Sequence, residues 1–263
     1  MTRAAADGFA KLVEILERLR APGGCPWDRE QTFESLRPYI LEETYEILES
    51  IDEKRYAQLR EELGDALLHV VFLAQTARES GLFDIVEVLD GINQKLVRRH
   101  PHVFGEIKVD SVQQVKSNWE SIKLGESEKR VLSGVPKTLP SLLRAHRVQE
   151  KAAGVGFDWE KPDDVLAKVR EEIDELAAAR SSGDAAKIQE EFGDLLFALV
   201  NLARFWDVTP EEALRQTVEK FIRRFNYIED ELKAQGRDIH RASLREMDAL
   251  WEKAKTLPQN DLD

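Results

Sequence analysis

The 263 residues carry 38 basic against 50 acidic side chains, a formal charge of −12, and this argues against general nucleic-acid binding, which rests on a basic excess. A hydrophobic content of 42% supplies apolar material for one large or two small folded domains. A single cysteine, Cys25, excludes an intramolecular disulfide framework. No run of about 18 apolar residues and no N-terminal signal pattern is present, so the expectation is a cytoplasmic protein without membrane contact.

In chain order, Phe9, Leu12, Val13, Leu16 and Leu19 keep helical spacing up to the breaking turn Pro22–Pro26. Trp27, just after that turn, is expected to be a core anchor. An acidic helix is predicted from near Pro38 to near Ser50. A longer helix from about Arg55 to Ser80 carries Glu62, Asp65 and His69 and is stopped by Gly81. His69 has no partner nearby in sequence and reads as a packed or partly exposed histidine. Asp84 and Glu87 form a capping box for a helix bearing Lys95, Arg98 and Arg99. The two histidines of His100-Pro-His102 make a weak metal signal. Ser111 and Gln114 suggest another cap, opening a helix with Trp119 and Lys123. The stretch 125–140, with Gly134, Pro136 and Pro140, is expected to be a linker.

Beyond it, Ser141 to about Ala153 reads as a short helix, followed by a turn ending at Trp159. Pro162-Asp163-Asp164 starts an acidic helix, Ser181-Ser182-Gly183 breaks it, and a second acidic helix follows. Thr209-Pro210-Glu211-Glu212 is expected to be a capping box with proline at the first helical position. Gly236 ends that helix, and a last one places Trp251 before a polar tail from Leu257. Alternating strand patterns are absent, so the fold class is all-α and bundle-like.

The chemistry concentrates in residues 171–194. Glu172 and Glu175 stand one turn apart on one helix, and Glu191 and Asp194 one turn apart on the next. Val165, Leu166, Val169, Ile173 and Leu176 form an apolar stripe with Glu172 at its border. Ile188, Leu195, Leu199 and Leu202 form the arc that contains Glu191. Carboxylates converging at such a border repel and lose hydration, so they take up protons or bind a cation. All four are oxygen donors, which favours a hard ion, Mg2+ or Mn2+, over Zn2+. The pattern occurs twice: Glu43, Glu46, Glu62 and Asp65 recur 129 positions later as Glu172, Glu175, Glu191 and Asp194. Lys95-Leu-Val-Arg-Arg99 then matches Lys220-Phe-Ile-Arg-Arg224, and Trp119-Glu-Ser-Ile-Lys123 matches Trp251-Glu-Lys-Ala-Lys255. A duplicated unit follows from that order.

This double EExxE…EExGD, KxxRR and Trp pattern, with the Gly24-Cys-Pro-Trp-Asp28, Arg99-His-Pro-His-Val-Phe104 and Val155-Gly-Phe-Asp-Trp159 segments, resembles the two-domain MazG nucleoside triphosphate pyrophosphohydrolases. The resemblance implies tandem helical modules at residues 1–124 and 141–263, a homodimer, and Mg2+-dependent cleavage of nucleoside triphosphates to monophosphate and pyrophosphate. It implies that Glu172, Glu175, Glu191 and Asp194 are catalytic and hold metal, that Glu43, Glu46, Glu62 and Asp65 form a matching metal set, and that one acid of the set is the general base; the sequence does not say which, and our preference is Glu175. Substrate contacts fall to Lys168, Glu171, Lys187, Glu190, Lys220, Arg223, Arg224 and Trp251, with Lys95, Arg99 and Trp119 in the first half. Tyr39 and Gln58 stand where the second half has Lys168 and Lys187, so the second half is expected to carry the main activity. Competing readings are a non-catalytic nucleotide-binding scaffold and a pyrophosphohydrolase of another nucleotide. A di-iron bundle lacks its Glu-x-x-His motifs.

Overall fold

The structure, a computed structural model, describes residues 2–111, 114–115, 118–119, 122 and 130–257. Lys123, the linker start at 125–129 and the tail after Leu257 lie outside the described residues. So do residues 112–113, which the expected Ser111–Gln114 cap spans. Among the described residues the fold is all-α: eleven α-helices, one 3₁₀ turn and no strand. The chain divides into two compact units, residues 1–112 and 113–263.

In the first unit α1 (Thr2–Arg20), α2 (Pro26–Glu30), α3 (Phe33–Asp52), α4 (Tyr56–Glu79), α5 (Ile85–Arg99) and α6 (Pro101–Phe104) follow one another. Leu16, Leu36, Val71 and Phe72 are its buried centre, with Phe9, Leu12, Ile40 and Ile85 packed around them. α3 starts five residues before the predicted Pro38, which lies inside the helix. The start belongs to Thr32: its hydroxyl accepts from the Ser35 N–H while the Ser35 hydroxyl accepts from the Thr32 N–H, a reciprocal cap that serine completes in place of the usual glutamate. Pro38 costs only the bond its missing N–H would give Glu34, near the frayed first turn.

Arg20, whose side chain is only 5% exposed, holds this unit together. Its guanidinium pairs with Glu79 at 2.6 Å, donates to the Asp28 and Gln31 carbonyls, and lies 5.1 Å over the Phe72 ring. The short turn carrying Trp27 is thereby fastened to the end of α4. Trp27 itself is 54% exposed, against its expected place as a core anchor: the core beneath it is already filled by Leu16, Leu36 and Phe72, and its ring meets Tyr39 edge-on at 6.1 Å.

The second unit contains α7 (Ser141–Ala153), α8 (Pro162–Ser182), α9 (Ala185–Phe205), α10 (Pro210–Ala234), a 3₁₀ turn (Ile239–Arg241) and α11 (Leu244–Thr256). Val165, Val169, Ala198 and Leu202 form its buried cluster. Of the residues expected in the buried arcs of α8 and α9, Ile173 and Leu199 are instead about half exposed: among the described residues the buried cluster is closed by Val165, Val169, Ala198 and Leu202 without them. α10 starts at Pro210 as expected, but the Thr209 hydroxyl makes no capping bond. Glu212 is taken by Arg215, and Glu211 accepts from the Leu143 N–H of α7. From the expected linker, the Val131 and Ser133 carbonyls accept from the Lys151 ammonium on α7.

Helix starts obey the repeat. Phe33 and Tyr56 open α3 and α4, and Pro162 and Ala185, each 129 positions on, open α8 and α9. The links differ. Gly183 ends α8 in the left-handed conformation (φ 72°), which a side chain would strain, and Asp184 caps α9 by accepting from the Ala186 and Lys187 N–H groups.

Candidate active site

The two acidic helices of each unit pack side by side and bring their carboxylates together. Glu43, Glu46 and Glu62 each offer an oxygen within 4.8 Å of the others, and so do Glu172, Glu175 and Glu191. Asp65 and Asp194 stay outside these triads; each lies one turn beyond the last member on a side chain one methylene shorter. Asp65 is half-buried and close enough for its charge to act on Glu43, whereas Asp194 is exposed.

Each triad holds a carboxylate largely removed from water. Glu62 is 8% exposed and Glu172 5%. One oxygen of Glu43 and one of Glu172 is buried with no hydrogen-bond partner. Burial, then the charges of Asp65, Glu62 and Glu42, push the Glu43 carboxyl above the usual range. Burial and then the Glu62 charge do the same for Glu46. Glu175 is also raised by burial, with Glu172 and Glu191 adding to the rise and Lys168 opposing it. Buried oxygens without donors, all from carboxylates, fit a hard divalent cation.

The surroundings differ. In the second unit the Lys168 ammonium lies 2.8 Å from Glu172 Oε1 and 2.8 Å from Glu171 Oε1, and those bonds hold it well above the usual lysine range. Lys168 and Glu171 also line a groove with Asp158, Trp159, Glu160 and Asp164. The Arg204 guanidinium fastens the Trp159 turn by pairing with Asp158. Lys187 and Glu190 are exposed on α9. A separate cluster forms between α10 and α11, where Trp251 lies 5.1 Å from the Phe221 ring and the Arg224 guanidinium lies 5.7 Å from the Trp251 ring. Lys220 is exposed and Arg223 half-buried on α10, and no hydrogen bond or ion pair ties Lys187, Lys220, Arg223 or Arg224 to the acid triad.

In the first unit, Lys95 is exposed on α5 and Arg99 is half-buried; Trp119, also half-buried, falls in the second unit. Two residues of the first unit carry more than their sequence suggested. His69 Nε2 lies 3.7 Å from Glu43 Oε1, and Tyr39 stacks on the imidazole at 6.4 Å. Burial pushes His69 toward its neutral form, against the pull of Asp65. The repeat itself holds the signal for this: the position 129 residues after His69 is Ala198, and that after Tyr39 is Lys168.

Comparison with known proteins agrees with this arrangement. The profile of the MazG nucleotide pyrophosphohydrolase domain matches residues 31–104 and 160–228, one match in each unit. The nucleoside triphosphate pyrophosphohydrolase/pyrophosphatase MazG of Thermotoga maritima is 48% identical over 250 residues, 94% of this chain and 95% of the relative. The nucleoside triphosphate pyrophosphohydrolase of Escherichia coli K12 is 45% identical over 252 residues, 93% of this chain and 96% of the relative. A crystal structure of a mazG-related protein from Thermotoga maritima aligns with 44% of this chain and 98% of its own at 29% identity, with a TM-score of 0.39.

Proposed function

The chain belongs to the MazG nucleotide pyrophosphohydrolase family, and on that premise we propose that its second unit hydrolyses nucleoside triphosphates to monophosphate and pyrophosphate in a Mg2+-dependent reaction. The observation that carries this reading is Glu172: a carboxylate 5% exposed, one oxygen unpaired and the other held by a lysine, set within 4.8 Å of two further carboxylates. Glu172, Glu175 and Glu191 hold the cation, with Asp194 one turn away. Mg2+, when bound, neutralises phosphate charge and acidifies a water.

Glu175, raised by burial into a range closer to neutrality, accepts the proton of the attacking water. Lys168 exchanges its bonds to Glu171 and Glu172 for phosphate oxygens, and Lys187, Lys220, Arg223 and Arg224 take the remaining charge. Glu190 lines the approach on α9, and Trp251, held by Phe221 and Arg224, packs near the nucleoside. In the first module Glu43, Glu46, Glu62 and Asp65 form the second metal set, with Lys95, Arg99 and Trp119 as the equivalents of the substrate contacts. The modules span 1–124 and 141–263, joined by 125–140.

A homodimer in the cytoplasm completes the reading. Leu63, Leu67 and Val70 on α4, and Phe192, Leu196 and Leu199 on α9, leave apolar surface exposed on the acidic helices themselves, which a second copy would cover. No described helix is long and apolar enough to cross a membrane. The test is ion-exchange analysis of the products from each common nucleoside triphosphate, with and without Mg2+. Monophosphate and pyrophosphate appearing only with metal support the proposal; diphosphate and orthophosphate would place the cleaved bond elsewhere and defeat it.

A further inference from the structure

We propose that the first-unit cluster of Glu43, Glu46 and Glu62 is a resident divalent-cation site that fills without nucleotide, whereas the second-unit cluster takes its cation only with a nucleotide because Lys168 already occupies it. The proposal rests on the metal-dependent reading above and concerns when each cation arrives.

In the second unit the triad has its own counterion. Lys168 lies 2.8 Å from Glu172 Oε1, and an incoming cation must compete with an ammonium tethered one helical turn away. Desolvated charges in contact are expensive to separate unless both are re-paired. A triphosphate re-pairs both: it offers the ammonium another anion and arrives with a cation of its own. Without it, the lysine remains the preferred partner of Glu172.

Among the described residues no lysine or arginine pairs with the first-unit triad. The matching position is Tyr39, an uncharged side chain that stacks on His69, and Gln58 stands where the second unit has Lys187. His69 meets the triad only through Glu43, at 3.7 Å, against the 2.8 Å contact that Lys168 makes with Glu172. The independent sign of a ligand is Glu43 Oε2, buried with no hydrogen-bond partner; beside it Glu62 is 8% exposed and lies within 4.8 Å of the other two acids. Anionic oxygens in that state call for a cation.

The full chain, stripped of metal and free of nucleotide, is titrated with Mn2+ while free ion is followed by electron paramagnetic resonance. The expected result is one tight site per chain. Glu62→Gln weakens it about tenfold or more, and Glu46→Gln, at a less buried position, does the same. Glu191→Gln leaves it intact, and Lys168→Ala adds a second nucleotide-free site. No tight site in the unaltered chain, two equal sites, or loss of the site in Glu191→Gln overturns the proposal, and a Lys168→Ala chain that still binds one Mn2+ overturns the part given to Lys168. The titration needs no turnover, so it stands or falls separately from the hydrolysis assay.

Discussion

The two carboxylate triads share their acids, their helix starts and their spacing, and differ in what stands beside them. Lys168 and Ala198 flank the second; Tyr39 and His69 flank the first. The lesson is that a metal-binding acid set defines a place for a cation, while the neighbouring cations decide whether a highly charged phosphate can join it.

The largest expected effect tests which unit performs the chemistry. Glu172→Ala should lower nucleoside triphosphate turnover on the order of 10²- to 10³-fold, whereas Glu43→Ala should cost less than about tenfold. Steady-state kinetics of the pair decide it, and the opposite ranking would reverse the roles of the units.

A second contrast concerns how each unit holds the turn ahead of its first acidic helix. Arg20, 5% exposed and bonded to Glu79 and two carbonyls, should cost about 3 kcal/mol when replaced by alanine, because Glu79 is left partly buried without its partner. Arg204→Ala, which loses its Asp158 pair and an Asn201 bond but no bond to a backbone carbonyl, should cost about half of that. Urea unfolding of each variant measures both, and equal costs would remove the distinction.

Lys168→Ala is expected to reduce kcat/KM roughly 10- to 100-fold, the loss of a charge-assisted bond of about 1.5–3 kcal/mol. Tyr39→Phe, at the matching position, should leave it unchanged. If both variants fall together, the first unit also handles phosphate.

The smallest effect is in pH. Glu43, Glu46 and Glu175 are raised in the folded chain, so their contribution to stability is greatest when they are protonated and is lost as pH rises above the ordinary carboxylate range. Mg2+ should therefore raise Tm by a margin that grows as pH goes from weakly acidic to neutral. Glu246 has the opposite sign. Bonded to Arg237 and to the Ser243 N–H, it is pushed down to about 2 from an ordinary 4.5, so its stabilisation is present above 4.5 and lost as pH falls toward 2. Arg237→Ala should flatten the acid limb of the Tm profile in that window and leave the Mg2+-dependent limb unaltered.

Periodicity and turn chemistry made the helices legible, since Gly81, Gly183, the Asp84–Glu87 cap and Pro210 are local signals that tertiary packing did not override. The acids were legible because they recur at one offset. What escaped depends on residues distant in sequence. Trp27 is exposed because Leu16 and Phe72 already fill the core beneath it. His69 meets Glu43 only because α3 and α4 pack side by side, and the Arg20 clamp joins positions 59 residues apart. The Thr32–Ser35 cap leaves little trace in the sequence because serine stands where a capping box usually carries an acid, while Pro38, inside the helix, is the more conspicuous signal.

The hinges between the acidic helices are only three residues long in the first unit and two in the second. Each triad is therefore assembled by closing a helical hairpin, a local contact of the sort that forms early in folding, and not by a late long-range docking. Like charges meet at that early step, so the repulsion within each triad opposes hairpin closure as well as the finished fold. If a divalent cation binds the triads as proposed, its presence should accelerate hairpin formation, which stopped-flow refolding with and without Mg2+ would measure.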